Sequence, residues 1–198
     1  SHTLMTPMFT PTNTQSGPPR VFLAAVGPRM TAVSGEVADG LIAHGFTTER
    51  YMREVTLPSL AEGLARGGRD RRDFEVTCPV FVVSGADEQS TQASRKAACQ
   101  QLAFYGSTPT YRPVLELHGW EDVGVELTAL SKRGEWVKMG TLIDDEMLDA
   151  FAIVAEPEDV PGRIVERFGG AIDRVASTFT FASDELREKG IETLHAAS

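Results

Sequence analysis

Residues with chemical potential gather at a few points of this chain. The run Val21-Phe-Leu-Ala-Ala-Val26 leads directly into Gly27-Pro28-Arg29-Met30. An unbroken apolar run of this length reads as a strand covered on both faces. Glycine then permits a tight turn, and proline suits the first helical position, where a missing N–H costs nothing. The first N–H groups of the helix that follows lack intrahelical acceptors, so a phosphate placed there would meet free donors and a favourable dipole. An ordinary strand-to-helix turn without a ligand has the same pattern. His44 closes a second short run, Leu41-Ile-Ala-His44, where it reads as a hydrogen-bonded histidine at a strand end. Tyr105, Tyr111 and Arg112 lie about a stretch punctuated by Gly106, Pro109 and Pro113. Long excursions after strands often carry specificity, so these three are candidates for a substrate pocket. Core packing of the tyrosines and a surface ion pair for Arg112 are the alternatives.

Other groupings point away from chemistry. His118 with Trp120 is expected to tuck the excursion against a helix. Asp144-Asp145-Glu146 has the composition of a metal site, but consecutive helical carboxylates diverge in direction, so a solvated helix start is expected and no metal. Arg69 to Arg72 reads as a solvated turn. Cys78 and Cys99 form no C-x-x-C pair and stand in apolar or helical contexts, as buried free thiols do.

The chain has 198 residues, enough for one large domain or two small ones, and its 41% apolar content can bury a substantial core. A net charge of -9 argues against nucleic acid or an anionic membrane as the main partner. No apolar stretch reaches the ~18 residues of a spanning helix, and no signal peptide opens the sequence, so a cytoplasmic protein acting on a small molecule is expected.

The elements that must hold these residues follow from periodicity and punctuation. Residues 1–19, rich in Thr, Pro and Ser, read as a linker or loop. After the strand at Val21–Val26, a helix is expected to bury Met30, Val33 and Val37. The strand Leu41–His44 precedes a helix capped by Thr48, bent at Pro58 and stopped by Gly67-Gly68. Phe74–Ser84 is the richest strand segment by β-branched and aromatic content. An Ala-rich helix runs to Tyr105, an irregular excursion covers 106–120, and helical patterning returns over 127–151 with breaks near Gly134 and Gly140. Val160, Ile164 and Phe168 mark another helix, Asp173–Phe181 a last strand, and 183–198 a polar terminal helix or tail. Strand and helix thus alternate four times, implying an α/β protein with a parallel sheet and right-handed crossovers.

The strings Ala24-Ala-Val-Gly-Pro-Arg-Met30 and Gly35-Glu-Val-Ala-Asp-Gly-Leu-Ile-Ala-His44 resemble the second half of the bacterial luciferase-like oxidoreductases, which use flavin or the deazaflavin coenzyme F420. The stretch Phe104–Trp120 is similar to a segment of an actinobacterial F420-dependent subgroup. The resemblance runs from Pro19 to about Phe181. It implies strands five to eight of a (β/α)8 TIM barrel over residues 20–182, with an irregular and helical insertion at about 106–150. It further implies hydride transfer to or from F420, or in relatives FMN-dependent oxygenation, at the carboxyl ends of the strands, where barrel enzymes keep their chemistry. Carried over position by position, Ala25, Val26, Gly27, Pro28 and Met30 would pack on the ring and its phosphate. His44 would face the ring as a donor, and Arg29 would compensate charge by position alone.

Members of that family carry four earlier βα units, with residues that contact the ring and help to activate substrate. None is evident in this sequence, so no catalytic residue is assigned. The chain is expected to be either part of a longer protein or a half-barrel whose open sheet edges drive homo-oligomerisation. A non-catalytic assembly subunit without cofactor is the competing reading. A doubly wound nucleotide-binding protein is disfavoured, because the turn lacks G-x-G-x-x-G.

Overall fold

A computed structural model of the chain describes residue 15, residues 17–176 and residues 184–196. Strand β1 (Phe22–Ala25) turns at Gly27 into helix α1 (Pro28–Val37), and β2 (Gly40–Ala43) follows. Thr48 caps α2 (Glu49–Tyr51) by accepting the Tyr51 N–H. A π-helical turn, Met52–Thr56, joins α2 to α3 (Leu57–Gly67), with the Leu57 N–H reaching back five residues to the Met52 carbonyl. This turn sits immediately before Pro58, the residue expected to bend the helix. It re-registers the backbone where proline has no N–H to give.

β3 (Glu75–Pro79) and β4 (Phe81–Val83) come next, then α4 (Glu88–Gly106), begun by a reciprocal capping box between Asp87 and Ser90. The excursion after α4 is largely helical, not irregular. A 3-10 turn at Pro109–Tyr111 leads through α5 (Arg112–Glu116), α6 (Glu121–Lys132), α7 (Trp136–Met139), a 3-10 turn at Gly140–Leu142 and α8 (Asp145–Phe151). Short β5 (Ala152–Val154), α9 (Val160–Phe168), β6 (Arg174–Ala176) and α10 (Asp184–Ala196) complete the described chain. Most of the expected 1–19 linker, and the last strand beyond Ala176, lie outside the described residues.

Four strands form a parallel sheet in the order β1-β2-β3-β6, and β4 pairs with β5, also in parallel, as a separate two-stranded ladder. The segment Phe74–Ser84 is therefore two strands and not one. Pro79 cannot donate to a ladder, and the chain changes partners there. The Val80 N–H still reaches the Ala176 carbonyl of β6, whereas Phe81 onward pairs with Ala152 onward. Strand β5 had no counterpart in the sequence reading.

Leu41, Met52, Leu60, Leu64, Val76 and Cys78 fill the space between the main sheet and helices α1 and α3. A second core under α4 to α8 is built on Leu102, Leu115, Leu127, Leu130, Met147 and Leu148. Both cysteines are buried free thiols, and desolvation pushes the Cys78 thiol up to about 12. The amino ends of the strands are tied by charge. Glu75 accepts hydrogen bonds from Arg20 (3.1 Å) and Arg174 (2.5 Å), while the Asp39 and Asp173 carboxylates accept the Val21 and Val76 N–H groups. Arg71 holds Asp173 at 2.7 Å and Arg69 reaches Ala38 and Asp39, so this basic turn stitches the structure instead of being merely solvated.

Helix α1 is turned opposite to expectation. Met30, Val33 and Val37 are 44%, 39% and 70% exposed, and the buried face is Thr31, Ala32, Ser34 and Gly35. The cause is close backbone packing on α3, where a Cβ on Gly63 would lie 1.9 Å from the Ala32 carbonyl oxygen and one on Gly35 2.7 Å from that of Leu60. Only a small-residue face fits that gap. Gly63→Ala is expected to destabilise the protein by roughly 1–3 kcal/mol through overpacking, even though alanine is the better helix former. A urea midpoint at or above wild type would contradict the packing argument.

Candidate functional site

The strands of the main sheet end on alanine or proline, within one residue of each other in register. Ala25 pairs with Ala43, and Pro79 with Ala176. All four border a cavity of about 510 Å³ at the carboxyl ends of the sheet, a volume within the range of small-ligand sites. Val26, Val80 and Phe81 add apolar wall, and the polar side chains facing in are His44, Gln101 and Tyr105. Among the described residues no charged side chain lines it.

Of the residues singled out from the sequence, Ala25, Val26, His44 and Tyr105 line this cavity. Gly27 adjoins it as the N-cap of α1, at φ 76°, a conformation that favours glycine. Among the described residues nothing lies within 4 Å of where its Cβ would be, which leaves room there for a ligand. Pro28 occupies the first turn of the helix, and Arg29 and Met30 are exposed there. The first recorded bond of the turn is Thr31 N–H to the Gly27 carbonyl, leaving the Arg29 and Met30 amides without an acceptor among the described residues.

Tyr111 does not line the cavity but backs it, stacking on His44 at 4.5 Å with 21° between the ring planes. Its hydroxyl lies 3.3 Å from His44 Nε2, and the Phe46 N–H donates to His44 Nδ1 at 3.0 Å. Tyr105 meets the same imidazole edge-on at 4.8 Å, and its hydroxyl accepts from Gln101 Nε2 at 3.3 Å. Arg112 is not brought to the cavity. Its guanidinium turns toward Thr128 Oγ1 (3.4 Å) on α6. The sequence reading also missed Gln101 and Phe81. Gln101 is exposed on a long helix with no motif around it, whereas Phe81 follows the strand end that barrel geometry makes a candidate.

The remaining groupings are structural. His118 stacks on Trp120 and bonds Thr48 at 2.8 Å, fastening the excursion to α2. Asp144 caps α8 through the Met147 N–H, and Asp145 pairs with Arg95. No metal-binding cluster occurs among the described residues. A second cleft, of about 380 Å³, is lined by Glu49, Asp149, Arg163, Glu166 and Arg167. Four of these five charges are engaged nearby, Glu49 with Arg53, Glu166 with Arg163, and Arg167 with the Ala152 carbonyl.

Residues 1–174 match the family model for luciferase-like monooxygenases. The chain belongs to that family. The match takes in the first nineteen residues, which the resemblance left out, and ends at residue 174 where the resemblance ran to about Phe181. An uncharacterized protein of Mycobacterium tuberculosis is 53% identical over 93% of this chain and 54% of its own length. A 5,10-methylenetetrahydromethanopterin reductase of Archaeoglobus fulgidus is 28% identical over 84% of this chain and 50% of its own. The chain thus spans about half the length of the curated relatives it matches. Among solved structures, the coenzyme F420 dependent tetrahydromethanopterin reductase from Methanopyrus kandleri shares the fold, with a TM-score of 0.65 over 88% of this chain and 48% of that one, at 23% identity. An F420-dependent secondary alcohol dehydrogenase shares it with a TM-score of 0.58 over 87% of this chain, at 17% identity. Among the described residues no helix is long and apolar enough to cross a membrane.

Burial holds the pKa of His44 below its ordinary 6.5, and burial followed by the nearby Arg50 charge does the same for His118. The unfolded chain therefore binds more protons than the folded one at these positions once pH falls below 6.5, so acidification costs stability there. The His44→Gln, His118→Gln double variant is expected to show a flatter fall of urea midpoint between about pH 6.5 and 5. An unchanged slope would show that these imidazoles are not held neutral.

Proposed function

We propose that this chain provides the cofactor-facing strand ends of an F420-dependent oxidoreductase, which moves a hydride between the deazaflavin and a small organic substrate. The observation that carries the proposal is the apolar cavity at the carboxyl ends of four parallel strands, bordered by a glycine turn whose Arg29 and Met30 amides have no acceptor among the described residues. The residues present fit such a group. Ala25, Val26, Ala43 and Phe81 offer apolar surface to a planar ring. The Arg29 and Met30 amides at the start of α1 suit a phosphate, with the exposed Arg29 side chain supplying positive charge. F420, when bound, supplies the carbon that gives or takes the hydride. This chain binds and orients the ring, and its cavity wall keeps water from one side of it. FMN is the alternative ligand for the same surfaces. One solved neighbour named for its dependence on F420 and another in complex with an F420-acetone adduct favour the deazaflavin.

In this reading β1, β2, β3 and β6 are the fifth to eighth strands of a (β/α)8 barrel. Two observations support it: the sheet order follows the chain order, and β1 and β6 are unpaired edges among the described residues. The exposed Val21, Met30, Val33 and Val37 lie beside the β1 edge, where further chain would pack in a closed barrel. The same open edge and apolar stripe favour a second reading, in which copies of this chain assemble edge to edge and any ligand is secondary.

Fluorescence titration with F420 and with FMN separates these readings. Saturable binding of F420, tighter than that of FMN, is expected. No binding of either at high micromolar concentration would overturn the claim that this chain holds the cofactor. In sedimentation velocity the free chain is expected to self-associate, and a monomer at every concentration would contradict assembly through the open edge.

A further inference from the structure

Among the described residues that line the cavity, His44 alone carries a ring with two different nitrogens, and the backbone has already committed one of them. The Phe46 N–H, two residues along the same chain, donates to Nδ1 at 3.0 Å. A nitrogen that accepts an N–H has no hydrogen of its own, so in the neutral ring the hydrogen is on Nε2. Protonating Nδ1 would set two N–H groups against each other and break the Phe46 bond. Nε2 makes one further contact, to the Tyr111 hydroxyl at 3.3 Å, long for a hydrogen bond and readily exchanged for a better acceptor. Tyr111 stacked on one side and Tyr105 edge-on leave the ring little freedom to flip and present its other nitrogen. The groups facing it are these two phenols from α4 and the 3-10 turn at Pro109–Tyr111, together with its own backbone. Among the described residues no carboxylate or cation lines the cavity to stabilise or repel an imidazolium.

We infer that His44 serves the cavity as a neutral, single-tautomer hydrogen-bond donor through Nε2–H, selecting a ligand that presents an acceptor oxygen, such as a carbonyl, and that it is not an acid–base group. Burial acts in the same direction by disfavouring the charged ring. In the absence of a ligand the donor rests on Tyr111, which positions the ring by stacking. The inference rests on the cavity being the ligand site, but not on which cofactor fills it.

Long-range proton–nitrogen spectra of the uniformly labelled protein read the tautomer directly. At pH 6.5, Nδ1 is expected in the unprotonated range and Nε2 in the N–H range. Imidazolium, or hydrogen on Nδ1, would overturn the proposal. Two isosteric probes then test selection, acetophenone with its carbonyl oxygen and 2-phenylpropene with a methylene in its place. The wild type is expected to bind acetophenone about fivefold more tightly, the net worth of one hydrogen bond. His44→Phe should erase that preference, bringing the ratio of the two affinities to about one whatever happens to each. Tyr111→Phe, which keeps the stack and frees Nε2–H, should preserve the preference or strengthen it. Equal binding of the two probes by wild type, or a preference that survives in His44→Phe, would overturn the inference. Should F420 fail to bind while the tautomer and probe preference hold, the cofactor reading falls and this one stands. F420 binding with no probe preference gives the reverse.

Discussion

The structure depends on four parallel strands that end within one residue of each other on alanine or proline. Ala25 and Ala43 end β1 and β2 in register, Pro79 and Ala176 end β3 and β6 one residue further along, and all four border the cavity. A large residue at any of these positions would fill the floor of the cavity. The elements that wall the cavity follow these strand ends: the turn into α1 after β1, the turn after β2 through His44, and, after β3, β4 and α4 through Phe81, Gln101 and Tyr105. The cavity is thus a consequence of register and of residue size at strand ends.

The two ends of the sheet carry different kinds of interaction. At the amino end, Glu75 is held between Arg20 and Arg174, and Asp39 and Asp173 close the first turns on backbone amides. The Arg174 and Arg20 partners hold the Glu75 carboxyl below its ordinary range. These pairs have partners on neighbouring strands and turns and no cavity to face. At the carboxyl end the lining side chains are uncharged, and hydrogen bonds there leave donors and apolar surface available. Stability at one end and ligand chemistry at the other is the division that parallel βα architectures generally show.

Much of this was legible because its causes are local. The strand, glycine turn and helix from Val21 to Val37 follow from an apolar run, one φ-positive residue and one proline. The Thr48 cap and the parallel α/β class follow in the same way from short-range signals and their order. What was not legible has tertiary causes. The face of α1 that is buried is decided by the approach of Gly63 to Ala32, thirty-one positions apart in sequence, against a pattern in which Met30, Val33 and Val37 look like the core face. The break at Pro79 was visible only as a proline, and β5 is three residues attached to a helix. Of the three pocket candidates, Tyr105 lines the cavity, Tyr111 supports it through His44, and Arg112 points to Thr128, a distinction that composition around a loop does not encode.

The central claim is that the carboxyl ends of the strands, and no other surface of this chain, receive a phosphorylated ring. Backbone amide shift mapping of the labelled protein on addition of F420 tests it most directly. The account predicts that the changes concentrate at Gly27, Arg29 and Met30 and at His44, Gly45 and Tyr105, with the amino-end residues Asp39, Glu75 and Arg174 unmoved. Changes confined to those amino-end residues, or to the charged cleft around Arg163 and Arg167, would contradict it.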